Sequence, residues 1–168
     1  MILTVTPNTA LDRVLFIDHF AFGETVRASA VVESMGGKGC IVAWVLAQLG
    51  TPSMATGLAG GETGHRMEAM LQAAGVQTDF VWVNGETRTN YVLASTHDGG
   101  QGIITVAGPP VSASESERLA RHVMSLLDGA DALLCGGTLP QGMPLDWYTP
   151  IIACWMAPRS FPAKSACI

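Results

Sequence analysis

The sequence is short of positive charge: nine Lys and Arg stand against fourteen Asp and Glu, for a net charge of −5. A chain so balanced has no basic field to hold a phosphate backbone or an anionic membrane surface, which excludes nucleic acid and membrane as partners. Long hydrophobic runs are also missing. No stretch approaches the roughly 18 apolar residues of a membrane span, and the opening MILTVTPNTALDR has no cationic region before its short apolar run. A cytoplasmic protein is the expectation. Cysteine is sparse: Cys40, Cys135, Cys154 and Cys167 lie far apart, without the close paired spacing of zinc sites or redox motifs, and are expected as reduced core or tail residues. The four histidines are equally scattered among polar or small neighbours, so no metal site is expected.

The chain is rich in apolar content. With 48% hydrophobic residues in 168, it can bury one core of ordinary size. Ile2 to Thr6 is a β-rich run ended by Pro7 and Asn8, so the segment after it sits at a strand's C-terminal edge. Arg13 to Ile17 and Val26 to Ser34 read as short strands that curl away from a main sheet. Gly36-Gly37-Lys38-Gly39 then breaks the chain and opens a buried helix, Cys40 to Leu49, which Gly50 and Pro52 stop. Ser53 to Leu58 is a further strand, and Met67, Met70, Leu71 and Ala74 mark an amphipathic helix ended by Gly75.

Phe80 to Val83, Thr89 to Thr96 and Ile103 to Val106 carry strand signals and are separated by Asn84-Gly85 and Asp98-Gly99-Gly100, which predicts hairpins. Ser112 and Glu115 have the spacing of a capping box before a helix with Leu119, Val123, Leu126 and Leu127 on its apolar stripe; Gly129 ends it. Asp131 to Cys135 is a short buried strand entering Gly136-Gly137-Thr138-Leu139-Pro140. Alternating strands and helices predict an α/β parallel sheet flanked by helices, with antiparallel strands set aside from it. Ala153 to Ile168 has no period and is expected to be poorly ordered.

The most informative local feature is the glycine cluster at a helix start. Glycines let backbone N–H groups approach a ligand, and the helix N-terminus favours an anion or a polar hydroxyl. It is no Walker A loop, because Gly39 stands where the magnesium-binding Ser or Thr would follow the Gly-Lys pair.

Five segments come in a telling order: Thr6-Pro7-Asn8-Thr9-Ala10-Leu11-Asp12-Arg13, the cradle Gly36 to Ala43, Gly85-Glu86-Thr87-Arg88-Thr89-Asn90, Gly108-Pro109-Pro110, and Gly137-Thr138-Leu139-Pro140-Gln141-Gly142. Over roughly residues 1–150 the chain resembles the ribokinase-like PfkB carbohydrate kinases, in the wording of their 1-phosphofructokinase and tagatose-6-phosphate kinase branch. The resemblance implies a ribokinase-like sheet with a small β lid, truncated before the C-terminal half. It places lid strands at about 13–34 and 80–106 and leaves 151–168 as an atypical tail.

It further implies that Asp12 accepts hydrogen bonds from sugar hydroxyls. Gly36, Gly37 and Gly39 bring backbone to the sugar, and Lys38, Arg88 and Asn90 reach the substrate phosphate, with Arg27 on the lid as a further candidate. The implied ligand is a sugar phosphate: fructose 1-phosphate, fructose 6-phosphate or tagatose 6-phosphate. A homodimer through the lid is the implied assembly, and ATP with Mg²⁺ serves the intact family.

The chain departs from the family pattern at several positions. Ile41 replaces an Asn that would bond the sugar, Thr105-Val106-Ala107 replaces an Asn-Glu-Pro, and Thr138 stands where Ser is usual. The later Gly-Ala-Gly-Asp segment, with its base and anion hole, has no match, and Asp128-Gly129-Ala130-Asp131 is no substitute for it. No catalytic residue is therefore assigned. The expectation is the sugar-binding half of a sugar-phosphate kinase that does not transfer phosphate by itself, from a reading frame cut short or shifted after Thr149; the alternative is a non-catalytic binding or dimerisation module.

Overall fold

The computed structural model describes residues 1–157, so the expectation for the chain beyond lies outside the described residues. The main sheet is built on β1 (Ile2–Thr6), which pairs in parallel with β4 (Ser53–Ala59) on one side and β9 (Ala132–Cys135) on the other. The short β5 (Gln77–Thr78) and β6 (Val81–Trp82) both add in parallel to β4.

Strand alternation explains how both faces are covered. Leu3 and Val5 on β1 are fully buried and pack with Leu119 and Val123 of α3 (Ala113–Leu126) and Ile151 of α4 (Tyr148–Met156). The intervening Thr4 and Thr6 are also fully buried, and Thr6 Oγ1 accepts from the Cys40 amide of α1 (Lys38–Gln48) at 3.1 Å. Ala55 and Ala59 of β4 pack with Cys40 and Ala43 of α1 and with Met67 and Leu71 of α2 (Gly61–Ala73). Helices thus flank a parallel sheet on both faces, as the alternation of elements predicts.

A second sheet stands apart, in the order β3 (Ala30–Gly36), β2 (Ala10–Ile17), β7 (Arg88–Ser95) and β8 (Gln101–Ile104). β2 and β7 are parallel and the outer pairs antiparallel. The turn at Asp98-Gly99-Gly100 makes the β7–β8 hairpin, with Gly99 at φ +72°.

Several expectations are corrected. Phe80 to Val83 does not join the lid strands: Phe80 and Val81 are buried, and β6 lies parallel to β4 in the main sheet. Asn84-Gly85 is accordingly a crossing between sheets and not a hairpin turn. Of the four cradle residues, Gly36 ends β3 and Lys38 and Gly39 are already helical, so the break is Gly37 alone. The helix after the capping box ends at Leu126, and a 3-10 turn over Leu127–Gly129 comes next.

Order also continues past Pro150. The proline sits in the first turn of α4, where its missing N–H costs nothing, and Ile151 is fully buried. Cys40 and Cys135 are free thiols, which burial pushes up to about 12 and about 11. Cys154 is disulfide-bonded, against the reading of reduced cysteines.

Candidate functional site

The site lies where the second sheet meets the carboxyl ends of β1 and β9. Its floor is the β3–α1 junction. Gly37 is the N-cap of α1 with φ +95°, a left-handed conformation that favours glycine, and it offers no side chain to cap the helix. A Cβ added there would lie 2.8 Å from Thr6 Cγ2, and one at Gly39 would collide with Thr6 Oγ1. Thr6 is therefore the buttress under the cradle. Its signal in the sequence is the second of two threonines on an otherwise apolar strand.

Asp12 enters from β2. Ala10 is in register with both Gly36 and Arg88, and Asp12 with both Ser34 and Asn90, so strand pairing alone sets these groups side by side. A Cβ on Gly36 would lie 2.5 Å from Asp12 Oδ1, so the absent side chain is what leaves room for the carboxylate. Asn90, nearly fully buried, donates from Nδ2 to Asp12 Oδ1 at 2.8 Å, and its Oδ1 accepts from the Val106 amide at 3.3 Å.

Arg88 is largely occupied by backbone. It donates to the carbonyls of Thr9, Val106 and Asn8, each at 3.3 Å, which uses three of the five guanidinium N–H groups and leaves two for a ligand. Burial pushes its pKa down while the charge of Asp12 opposes that shift; an arginine stays cationic regardless.

The glycine-rich loop after β9 closes the far side. Asn8 donates from Nδ2 to Thr138 Oγ1 at 3.0 Å, Gly137 has φ +102°, and Gly136 faces the Lys38 Cβ, with 3.6 Å to a Cβ built on the glycine. Gly108 packs against Asn8 and Arg88. All five sequence segments thus meet here. Asn8 and Thr138 are the pair that sequence reasoning missed as contacts, since nothing local marks a bond spanning 130 residues.

Not every candidate converges. Lys38 is exposed on the first turn of α1, and Ile41 is exposed on its flank. Arg27 is in the loop before β3. A concavity beside the cradle is lined by Pro7, Asn8, Gly60, Arg88, Pro109 and Pro140; of the predicted site residues only Arg88 borders it. Asp131 pairs with the Met1 amino group at the opposite edge of the sheet, far from this chemistry.

Beneath the lid, Glu33 of β3 bonds both Arg13 of β2, at 2.9 Å, and Arg66 of α2. Partial burial pushes the Glu33 carboxyl up, but the hydrogen bonds and charges of Arg13 and Arg66 prevail and hold it below the usual carboxylate range. This network joins the second sheet to α2.

A parallel α/β sheet with a lid over a glycine-floored cradle at its strands' carboxyl edge defines a ligand-binding domain of small-molecule type. The pfkB family carbohydrate kinase profile matches residues 5–157, and the chain belongs to that family. It is 34% identical over 152 residues to a tagatose-6-phosphate kinase of Staphylococcus epidermidis, covering 90% of this chain and 48% of the relative.

Among solved structures, a possible 1-phosphofructokinase of Thermotoga maritima superposes with a TM-score of 0.86 at 32% identity, covering 92% of this chain and 50% of that one. Phosphofructokinase-2 of Escherichia coli in complex with fructose-6-phosphate gives 0.84 at 28% identity, with 92% and 50% covered. The chain spans about half the length of the curated relatives it matches.

Proposed function

We propose that this chain is the sugar-binding half of an ATP-dependent sugar-phosphate kinase of the phosphofructokinase and tagatose-6-phosphate kinase kind. The observation that carries the reading is the Asp12–Asn90 pair set against the side-chain-free Gly36. A carboxylate fixed by a buried amide is oriented to accept from hydroxyls, and Gly37 beside it presents the uncapped start of α1 to an anion. Asp12 would hold sugar hydroxyls and the two free N–H groups of Arg88 the phosphate, while Lys38, exposed on the first turn of α1, would have to swing over the cradle to join them. Asn90, spent on Asp12 and Val106, acts by positioning.

The proposed ligand is fructose 1-phosphate, fructose 6-phosphate or tagatose 6-phosphate, and the proposed compartment is the cytoplasm; no helix among the described residues is long and apolar enough to cross a membrane. ATP and Mg²⁺ belong to the reaction of the intact kinase, and no residue of this chain is assigned to either. Phosphoryl transfer needs a base and an anion hole that the five segments do not supply, so the chain binds without turning over.

Val32 and Ile103, exposed on the same face of the second sheet as Asp12, support pairing of two lids as the accompanying assembly. Titration calorimetry with the three sugar phosphates tests the reading. Binding that Asp12→Ala removes supports it; no binding of any of the three refutes it. In a coupled assay of ADP release, turnover above background that disappears in Asp12→Ala would refute the binding-only part.

A further inference from the structure

The loop that follows β9 is tied down on either side of Gly137 and left free at Gly137 itself. Before it, the Gly136 amide donates to the Val5 carbonyl at 3.1 Å, and the Gly136 carbonyl accepts from the Tyr148 hydroxyl at 3.2 Å. After it, Asn8 holds the Thr138 hydroxyl. Between these ties Gly137 keeps its left-handed φ of +102°, and its N–H meets no acceptor among the described residues.

The direction of that N–H follows from the sheet. Side chains alternate across a strand, so Val5, which shares a core cluster with Ile151, faces α4, while Thr6, which accepts from the Cys40 amide, faces α1. Tyr148 stands at the start of α4 and draws the Gly136 carbonyl to that side. In a planar trans peptide the N–H points opposite to the C=O, so the Gly137 N–H is turned to the α1 side, where the cradle lies. The glycines agree with this: Cβ atoms built on Gly37 and Gly137 lie 2.8 Å and 4.0 Å from the same Thr6 Cγ2.

Tyr148 is itself firmly held. Its ring meets that of Trp147 edge to face with centroids 5.3 Å apart, and the buried Trp147 donates from Nε1 to the Ser116 carbonyl of α3 at 3.2 Å. Burial, with Cys135 beside it, pushes the phenol up to about 12, so the hydroxyl keeps the proton that it donates. None of the five segments that meet at the cradle contains Tyr148.

We propose that Tyr148 is a positioning residue for the cradle: it holds the Gly136 carbonyl from the far face of the sheet and thereby aims the Gly137 N–H at an oxygen of the bound sugar phosphate. Tyr148 does not touch the ligand. Gly137 supplies a backbone donor beside the start of α1, in addition to Asp12 and Arg88. The inference rests on the sugar-phosphate reading of the cradle and adds to it one donor and the residue that sets its direction.

The 168-residue chain, isotope-labelled for amide spectroscopy, is titrated with fructose 1-phosphate, fructose 6-phosphate and tagatose 6-phosphate. Tyr148→Phe removes the hydroxyl and keeps the ring. Affinity by calorimetry should fall ~threefold to tenfold, the worth of one hydrogen bond. The Gly137 amide signal should move on ligand addition in wild type and far less in the variant. Ile151→Val loosens the same helix with the hydroxyl in place, and should lower the melting temperature while leaving affinity and the Gly137 response unchanged.

Unchanged affinity in Tyr148→Phe overturns the proposal, as does equal weakening by Ile151→Val, which would make the packing of α4 responsible and not the hydroxyl. A Gly137 signal that ignores the ligand in wild type, or moves equally in both proteins, overturns it as well, and the wild-type reading stands even where Tyr148→Phe does not fold. If wild type binds none of the three, the sugar-phosphate reading fails and takes this inference with it. Where Asp12→Ala removes binding and Tyr148→Phe does not weaken it, that reading stands and this inference alone falls.

Discussion

Asn90 and Asp12 face each other across the parallel strands β7 and β2, and the 2.8 Å bond between them fixes the Asp12 carboxylate within the lid sheet. Asn90 also accepts from Val106, so one buried amide holds the lid strand, the carboxylate and the segment before the Gly-Pro turn in a single arrangement.

Removing that amide is expected to have two effects. Asn90→Ala leaves Asp12 without its donor and Val106 without its acceptor, and should cost about 1–3 kcal/mol of stability. It should also weaken sugar-phosphate binding. Urea unfolding and calorimetry read the two separately; a variant with unchanged binding would show that Asp12 needs no such support.

The glycines of the cradle should fail in different ways. Gly36→Ala places a Cβ 2.5 Å from Asp12 Oδ1 and 2.9 Å from Ala10 Cβ, so the carboxylate must move and ligand affinity should drop. Gly37→Ala keeps a left-handed φ of +95°, at a cost of roughly 1–2 kcal/mol, and presses on Thr6 as well. Its signature should be a lowered melting temperature even without ligand.

The Glu33 network predicts a pH dependence. Its carboxyl is held below the ordinary range, so the stability it contributes is fully present above the unfolded-state pKa of about 4.3 and is lost as pH falls through the lower folded value. Wild type should therefore melt above Glu33→Gln at neutral pH, and the gap should close in acid. A gap that widened in acid would contradict the arrangement.

Ile151 tests whether α4 is part of the fold. It is fully buried against the α3 side of the core, so Ile151→Ala should cost about 2–5 kcal/mol by chemical denaturation. A loss near zero would mean that the chain after Pro150 contributes nothing.

Much of this was legible along the chain. The Ser112–Glu115 capping box is present with both of its bonds, because the motif needs only four consecutive residues. The helix opened at the glycines and the parallel strands are consequences of periodicity. The convergence of the five segments was implied by their order and wording. Where the reading failed, long-range burial had decided. Phe80 and Val81 look like any β-rich run, and only the open margin of β4 draws them into the main sheet. Residues 151–168 read as an atypical tail, yet Pro150 is harmless in a first turn and α4 forms once Ile151 has a core to enter.

By itself, the sequence determined most of the strands and helices before Pro150, where glycine must admit backbone, and to which family the chain belongs, since these depend on neighbours a few residues apart or on fixed wording. Only the tertiary structure decided that Asn90 holds Asp12, that Arg88 spends three donors on carbonyls, that Thr6 supports the cradle and that β9 ends the sheet among the described residues. Those are contacts between residues separated by tens of positions, set by strand register and packing, which no local pattern encodes.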